Sequence, residues 1–264
     1  MIGTVTIGAL YLSPIFTDET HIAAANSDEV DAFTFDLQGE YTFQGTVVLN
    51  GGEWVDVEIV AAESGERYEY YRNTGSESGG GGDDGFVQEA YQASDGTPVH
   101  FRYTYFDTEA GEEKLESVNE SLGDETVVDV ERSDDTLRFV TVDDNHSSVT
   151  NTITAGQSMI LGSLRNTVAY ETAGSENVYQ PQTGWYEQPV GYFRVSEAAG
   201  TVEVKPDTKA IINADTKVQL ATPDDYLDYR FSDTELKTFE TNVEVNEEAT
   251  VTEPEWVENT GAEQ

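Results

Sequence analysis

The stretch YTFQGTVVLNGGEWVDVEIV, residues 41–60, puts Tyr41 and Phe43 on one side of an extended chain, then Val55, Val57 and Ile59 on one side of another, with Asp56 and Glu58 between them. Successive strand side chains point to opposite faces, so each run reads as a half-buried strand. Asn50-Gly51-Gly52 tolerates positive φ and predicts the turn of a hairpin between them.

The same period-2 alternation extends outward in both directions. It occurs at Phe33, Phe35 and Leu37, at Val99, Phe101, Tyr103 and Tyr105, at Leu137, Phe139 and Thr141, and more weakly around Val168 and Tyr170. Further runs lie at Val190 to Val195, Thr201 to Lys205, Lys209 to Asn213, Lys217 to Leu220 and Thr241 to Val245. Helical signals are confined to two short stretches, Gly85 to Ala93 and the segment PDDYLDYRF that opens at Pro223. The fold expected is all-β, an antiparallel sandwich or jelly-roll barrel with long loops, built as one domain or as two β subdomains. The subdomain division would be an N-terminal β region over 1–142, a boundary in the polar stretch Asp143 to Ser148, and a C-terminal β region over 149–246. A Gly-rich loop at 73–85 (NTGSESGGGGDDG) has no apolar residue and reads as exposed, and residues 247–264 read as an acidic tail on the surface.

Charge limits the function more sharply than any motif. Against 13 Lys and Arg stand 52 Asp and Glu, a formal net charge of -39 in 264 residues, and the acids are spread over nearly every block of ten. In ordinary salt such a compact state repels itself, whereas at molar salt the Debye length falls to ~3 Å and spread carboxylates barely sense one another. High salt is the natural solvent for this composition. A nucleic-acid partner is disfavoured, because phosphate binding is won by Lys and Arg and no basic stripe exists. The absence of Cys removes disulfides, thiolate catalysis and Cys-ligated metals.

The motifs that could carry chemistry fail on inspection. Gly80 to Gly85 matches G-x-G-x-x-G, but Asp83 and Asp84 would repel a phosphate. Gly156-Gln157-Ser158 begins like a nucleophile elbow and lacks its closing glycine. His21, His100 and His146 are scattered without zinc spacing, and His100 reads as a solvated strand residue. No cofactor is expected beyond weakly bound Na, K, Mg or Ca; the candidate oxygen ligands are Asp28, Asp31, Asp143, Asp144, Asp224 and Asp225. Asn119 and Asn145 open N-glycosylation sequons. The chain thus reads as a structural or binding protein and not as an enzyme.

The first sixteen residues, MIGTVTIGALYLSPIF, are uncharged, contain Pro14 and fall short of the ~20 residues of a membrane helix. Their Thr4 to Ile7 alternation reads as a strand, with Ile2, Val5, Ile7, Leu10, Leu12 and Phe16 as the side chains to dock on a neighbouring subunit. No membrane span is expected.

Only five of the thirteen basic residues are Lys (Lys114, Lys205, Lys209, Lys217 and Lys237), an Arg-over-Lys bias that joins the acidic shell, the many strands and the lack of Cys. In that combination the chain resembles the virion structural proteins of haloarchaeal viruses, either the vertical single jelly-roll capsid type or the turret and tail proteins of tailed viruses. The resemblance is one of composition and extends over the whole chain. It implies a virion location and a β-rich capsid or capsid- and tail-attached assembly, with self-association and other virion proteins as partners. The alternative is a halophilic cell-surface or carbohydrate-binding β module that meets a host glycan, for which the sequons and the Tyr-rich stretches are the motive.

Overall fold

A computed structural model describes residues 33–75, 85–94, 97–122, 126–143, 149–165, 169–188, 191–221 and 236–258. In chain order these form β1 (Tyr41–Leu49), β2 (Gly52–Ala61), β3 (Arg67–Asn73), β4 (Phe86–Gln92), β5 (Val99–Tyr105), α1 (Thr108–Leu122), β6 (Val127–Arg132), β7 (Leu137–Asp143) and α2 (Val149–Arg165). There follow β8 (Tyr170–Thr172), β9 (Val178–Pro181), β10 (Gly184–Gln188), β11 (Gly191–Val204), β12 (Ile211–Ala221), β13 (Leu236–Asn246) and α3 (Glu255–Glu258).

The hairpin expected over residues 41–60 is present. Its loop is Asn50-Gly51, and φ is 52° at Asn50 and 83° at Gly51, the pair of positive angles that a two-residue type I′ turn needs. One residue further along β2 a bulge leaves Trp54 unpaired, and its ring turns toward Phe239 at 6.3 Å.

From that hairpin the described strands extend into one antiparallel sheet, in the order β6-β7-β5-β4-β3-β2-β1-β13-β12-β11-β9-β8, with β10 also paired to β11. The all-β, sandwich-like class is borne out, in the form of this single continuous sheet. The chain starts at the centre, meanders to one edge, crosses back through α2, and meanders inward from the other edge. Its last strand then pairs with its first, Gly45 opposite Val243 and Val47 opposite Thr241. The regions on either side of residues 143–148 therefore share a sheet through β1 and β13.

One face is the core. Along a single cross-strand row, Tyr179, Val202, Ala214, Val243, Gly45, Val57, Tyr71, Gln88, Tyr103 and Phe139 succeed one another from β9 to β7. Helix α2 lies over the centre of this face, with Ile160 and Leu164 fully buried. It sits close because a glycine stands on each side of the contact: a Cβ on Gly45 of β1 would stand 2.5 Å from Ile160 Cδ1, and one on Gly156 of α2 would stand 2.8 Å from Val57 Cγ2. Tyr71 donates its hydroxyl to Met159 Sδ at 3.2 Å, and the Ser163 and Thr241 hydroxyls pair at 2.9 Å. A smaller cluster is completed by Leu115 and Val118 of α1 against Phe101, Tyr103, Leu137 and Phe139.

Several sequence expectations are corrected here. Gly85 to Ala93 is strand β4, not helix: both of its faces are covered, four consecutive residues are buried, and so the alternation that marks a strand is lost. The real helices α1 and α2 gave weak signals, because the large apolar side chains described as buried in α1 are Leu115 and Val118 among many acids and α2 carries Gly156, Gly162 and β-branched residues of modest helix propensity. From Gly191 to Val204 the two expected runs form the one strand β11, where Gly200 bends the chain at φ 92° instead of ending it. Phe33 to Leu37 is irregular and holds the sheet by one bridge, Thr34 to Ala210, with Phe33 packed edge-on to Tyr170 and Tyr179. The Pro223-led segment lies outside the described residues.

Candidate functional site

The opposite face of the sheet divides into a covered part and an open part. Over β4, β5 and β7 the C-terminal segment acts as a cover: Glu248 accepts from the Thr42 hydroxyl, Ala249 donates its N–H to Glu40, and Trp256 of α3 lies 5.2 Å above the Arg102 guanidinium. Tyr91 of β4 and Val140 of β7 are buried, as is Val257 of the segment itself. The buried Glu89 carboxylate accepts from Arg102 and from the Tyr68 hydroxyl, and burial together with Glu89 pushes the Tyr68 phenol well up. His100 is half-buried here, not solvated, and burial lowers its pKa against the pull of Glu253. The stretch read as a surface tail lies along this face as far as Glu258, with most of its residues exposed and Val257 buried.

Over β2, β1, β13, β12 and β11 the outer face is open. Register sets its side chains in rows across the strands. One row runs Glu58, Gln44, Glu244, Asn213, Glu203, so that acid and amide alternate strictly. The next runs Asp56, Thr46, Asn242, Asp215, Thr201, and the third Glu53, Val48, Glu240, Lys217, Ala199. Gln44, Asn213, Asp215, Asn242, Glu244, Thr201 and Glu203 are all exposed. Among the described residues, ion pairs on this face join Arg72 to Glu53 at 2.9 Å and Lys217 to Glu240. Asp56 titrates above the usual carboxylate range through partial burial and the neighbouring Glu53 and Glu58, a rise that Arg72 opposes.

The interleaving has an electrostatic meaning. Acids in the first row sit two strands apart, about 9.6 Å, where two unit charges in water repel by about 0.4 kcal/mol before screening. Facing carboxylates on adjacent strands would be half that distance apart and directly destabilising. At the centre of the face, Gln44, Thr46, Asn213, Asp215, Asn242 and Glu244 line a shallow open hollow of ≈ 440 Å³. Amide N–H groups and carboxylates side by side make it a surface of donors and acceptors.

The two end strands of the main path, β6 and β8, are blunted. On β6 a bulge between Val127 and Asp129 interrupts the register, and Asp129, Glu131 and Arg132 are exposed along it; β8 has three residues. Bulges, charge and short length are devices that discourage edge-to-edge pairing.

On the core face, the nearly completely buried Glu69 pairs with Arg67, and burial raises its carboxyl to about 7 against the opposing pull of Arg67.

The residues singled out from sequence fall as follows. Asp143 ends β7, 1% exposed and registered with Val99, so it faces inward. Asn119 lies on α1 beside Glu116 and Arg132, with its Oδ1 buried. Ser158 is exposed in the middle of α2, away from any strand-to-helix turn. Ile2, Val5, Ile7, Leu10, Leu12, Phe16, Asp28, Asp31, Asp144, Asn145, Asp224 and Asp225 lie outside the described residues, as does most of the Gly-rich loop. Among the described residues no group of three or more His, Asp and Glu is placed to hold a metal ion, and no described helix is long and apolar enough to cross a membrane. The acid and amide rows escaped the sequence reading because they need the pairing of β1 with β13, elements about two hundred residues apart. Comparison with protein-family models, with curated proteins and with solved structures found no match.

Proposed function

We propose that the chain is a structural protein of a halophilic archaeal virus particle, a β-rich subunit of the capsid or of a capsid- or tail-attached assembly that packs with its copies and with other virion proteins in high salt. The observation that supports this reading best is the open outer face, a wide surface of carboxylates interleaved with amides and hydroxyls on a rigid sheet. Such a face is costly in a dilute buffer and well tolerated at molar salt, where the Debye length of ~3 Å is shorter than the spacing of its acids. With β6 and β8 blunted, the open face is the broad surface offered for contact. The uncharged segment 1–16 is a second contact of the subunit, through Ile2, Val5, Ile7, Leu10, Leu12 and Phe16. Carboxylates of the shell hold Na, K, Mg or Ca weakly, as solvated counterions.

Antibodies against the chain, applied to particles and to cell envelopes purified from a haloarchaeal culture that carries the gene, test the reading. Regular labelling of particles is the expected result. Labelling of envelopes alone would replace it with the cell-surface or glycan-binding role, and labelling of cytoplasm alone would overturn both.

A further inference from the structure

The outer face matches itself. Consider a second copy laid face to face, related by a two-fold axis that runs parallel to the strands between β12 and β13. Such an axis exchanges β13 with β12 and β1 with β11 and leaves each row opposite itself. In the first row Glu244 then meets Asn213 of the other copy and Gln44 meets Glu203. In the second, Asn242 meets Asp215 and Thr46 meets Thr201. In the third, Glu240 meets Lys217 and Val48 meets Ala199. Every carboxylate faces an amide or an ammonium, hydroxyl faces hydroxyl, and aliphatic faces aliphatic. Moving the axis one strand over, between β1 and β13, destroys the match, because Asp56 would then face Asp215. The complementarity therefore favours the axis between β12 and β13 over the one between β1 and β13.

We propose that two copies of this chain associate back to back through the outer face of β1, β13, β12 and β11, about the axis between β12 and β13. The proposal rests on the assembly reading above and gives it a partner and a register. Carboxylate-to-amide contacts between charged and neutral groups are stronger than neutral pairs and set the alignment. Four strands at about 4.8 Å and three rows at about 6.8 Å cover on the order of 400 Å² per copy, about half the ~800 Å² per partner of a standard interface. The contact is thus weak for an isolated pair and suited to an array in which it repeats. The central hollow makes it a wet contact, with water between some of the facing groups.

The test uses the full chain, which has no native Cys. Thr46 and Thr201 stand three strands apart in one molecule, about 14 Å, yet meet across the proposed axis. The double variant Thr46→Cys/Thr201→Cys is treated at molar KCl with a thiol cross-linker just long enough for the gap between side chains of sheets packed about 10 Å apart. Expected is a covalent dimer from the double variant and none from either single variant. Asn213→Asp and Asn242→Asp, which turn facing amides into acids of equal size, should each weaken association at least tenfold while far-ultraviolet circular dichroism stays unchanged. If wild type multimerises at molar salt but the double variant gives no dimer, or the two Asp variants associate like wild type, this interface is overturned and the assembly reading stands. If wild type stays monomeric at every salt concentration, both fall.

Discussion

Gly156→Ala separates the account of α2 from a generic view of helices. On an exposed helix the change gains about 1 kcal/mol, because Ala is the better helix former. Here the new methyl would stand 2.8 Å from Val57 Cγ2, 2.9 Å from Tyr71 Cδ2 and 3.2 Å from Tyr71 Cε2. Those atoms belong to two adjacent central strands that are themselves fully paired, so they have little room to yield. Overpacking of a filled core costs about 1–3 kcal/mol, and two contacts under 3.0 Å on different strands put the cost at the upper end. The net expectation is a loss of about 1–2 kcal/mol, or a fall in midpoint of roughly 3–6 °C for a chain of this size. Thermal and urea unfolding at constant molar KCl would measure it. Combining the change with Val57→Ala, which removes the nearest clashing carbon, should cost less than the sum of the two single changes. A rise in midpoint for Gly156→Ala, or strict additivity in the cycle, would refute the seating of α2 on Val57 and Tyr71.

Three further outcomes follow from other elements. Gly200→Ala should destabilise by at least about 3 kcal/mol in urea titrations, because φ is 92° and the added Cβ would lie 1.8 Å from the Asp215 carbonyl oxygen; near-neutral behaviour would mean that β11 and β12 do not meet there. The Glu69 carboxyl is raised to about 7 in the fold from an ordinary 4.5, so between those values the folded chain holds a proton that the unfolded chain has released, and stability falls as pH rises through that window, then levels off. Glu69→Gln should remove that part of the slope, changing the wild-type-minus-variant difference by on the order of 3 kcal/mol across the window, whereas parallel curves would show that Glu69 is not buried as described. Truncation after Glu247 removes the buried Val257 and the Trp256 ring over Arg102 and should cost roughly 3 kcal/mol with a rise in binding of an apolar dye; an unchanged midpoint would mean that the C-terminal segment does not pack on the sheet.

Where one face of a strand is wet and the other dry, the sequence was transparent. β1 alternates strictly, β2 does so from Val55 onward, and Asn50-Gly51 named its own turn. Legibility failed where burial is two-sided or contributed by distant chain. β4 is covered by α1 and the core below and by the C-terminal segment above, so its apolar residues show no period. Helix α2 is held by the depth to which glycine lets it sink, a property of the sheet under it more than of its own propensity. The candidate site was the least legible part. Each of its side chains could be placed on a polar strand face, but that Glu58, Gln44, Glu244, Asn213 and Glu203 form one alternating row depends on which strands are neighbours. Period-2 patterns carry face and not partner.

In the proposed role, the faces of this acid-coated sheet come together when salt screens them. The most direct measurement is the light-scattering mass of the unmodified 29.0 kDa chain as KCl is raised from dilute buffer to saturation. The account predicts a monomer at low salt and, above about 1 M, where screening reaches ~3 Å, a mass that climbs through the dimer to larger multiples and falls again on dilution of the salt. A folded chain that remains monomeric throughout the titration would contradict it.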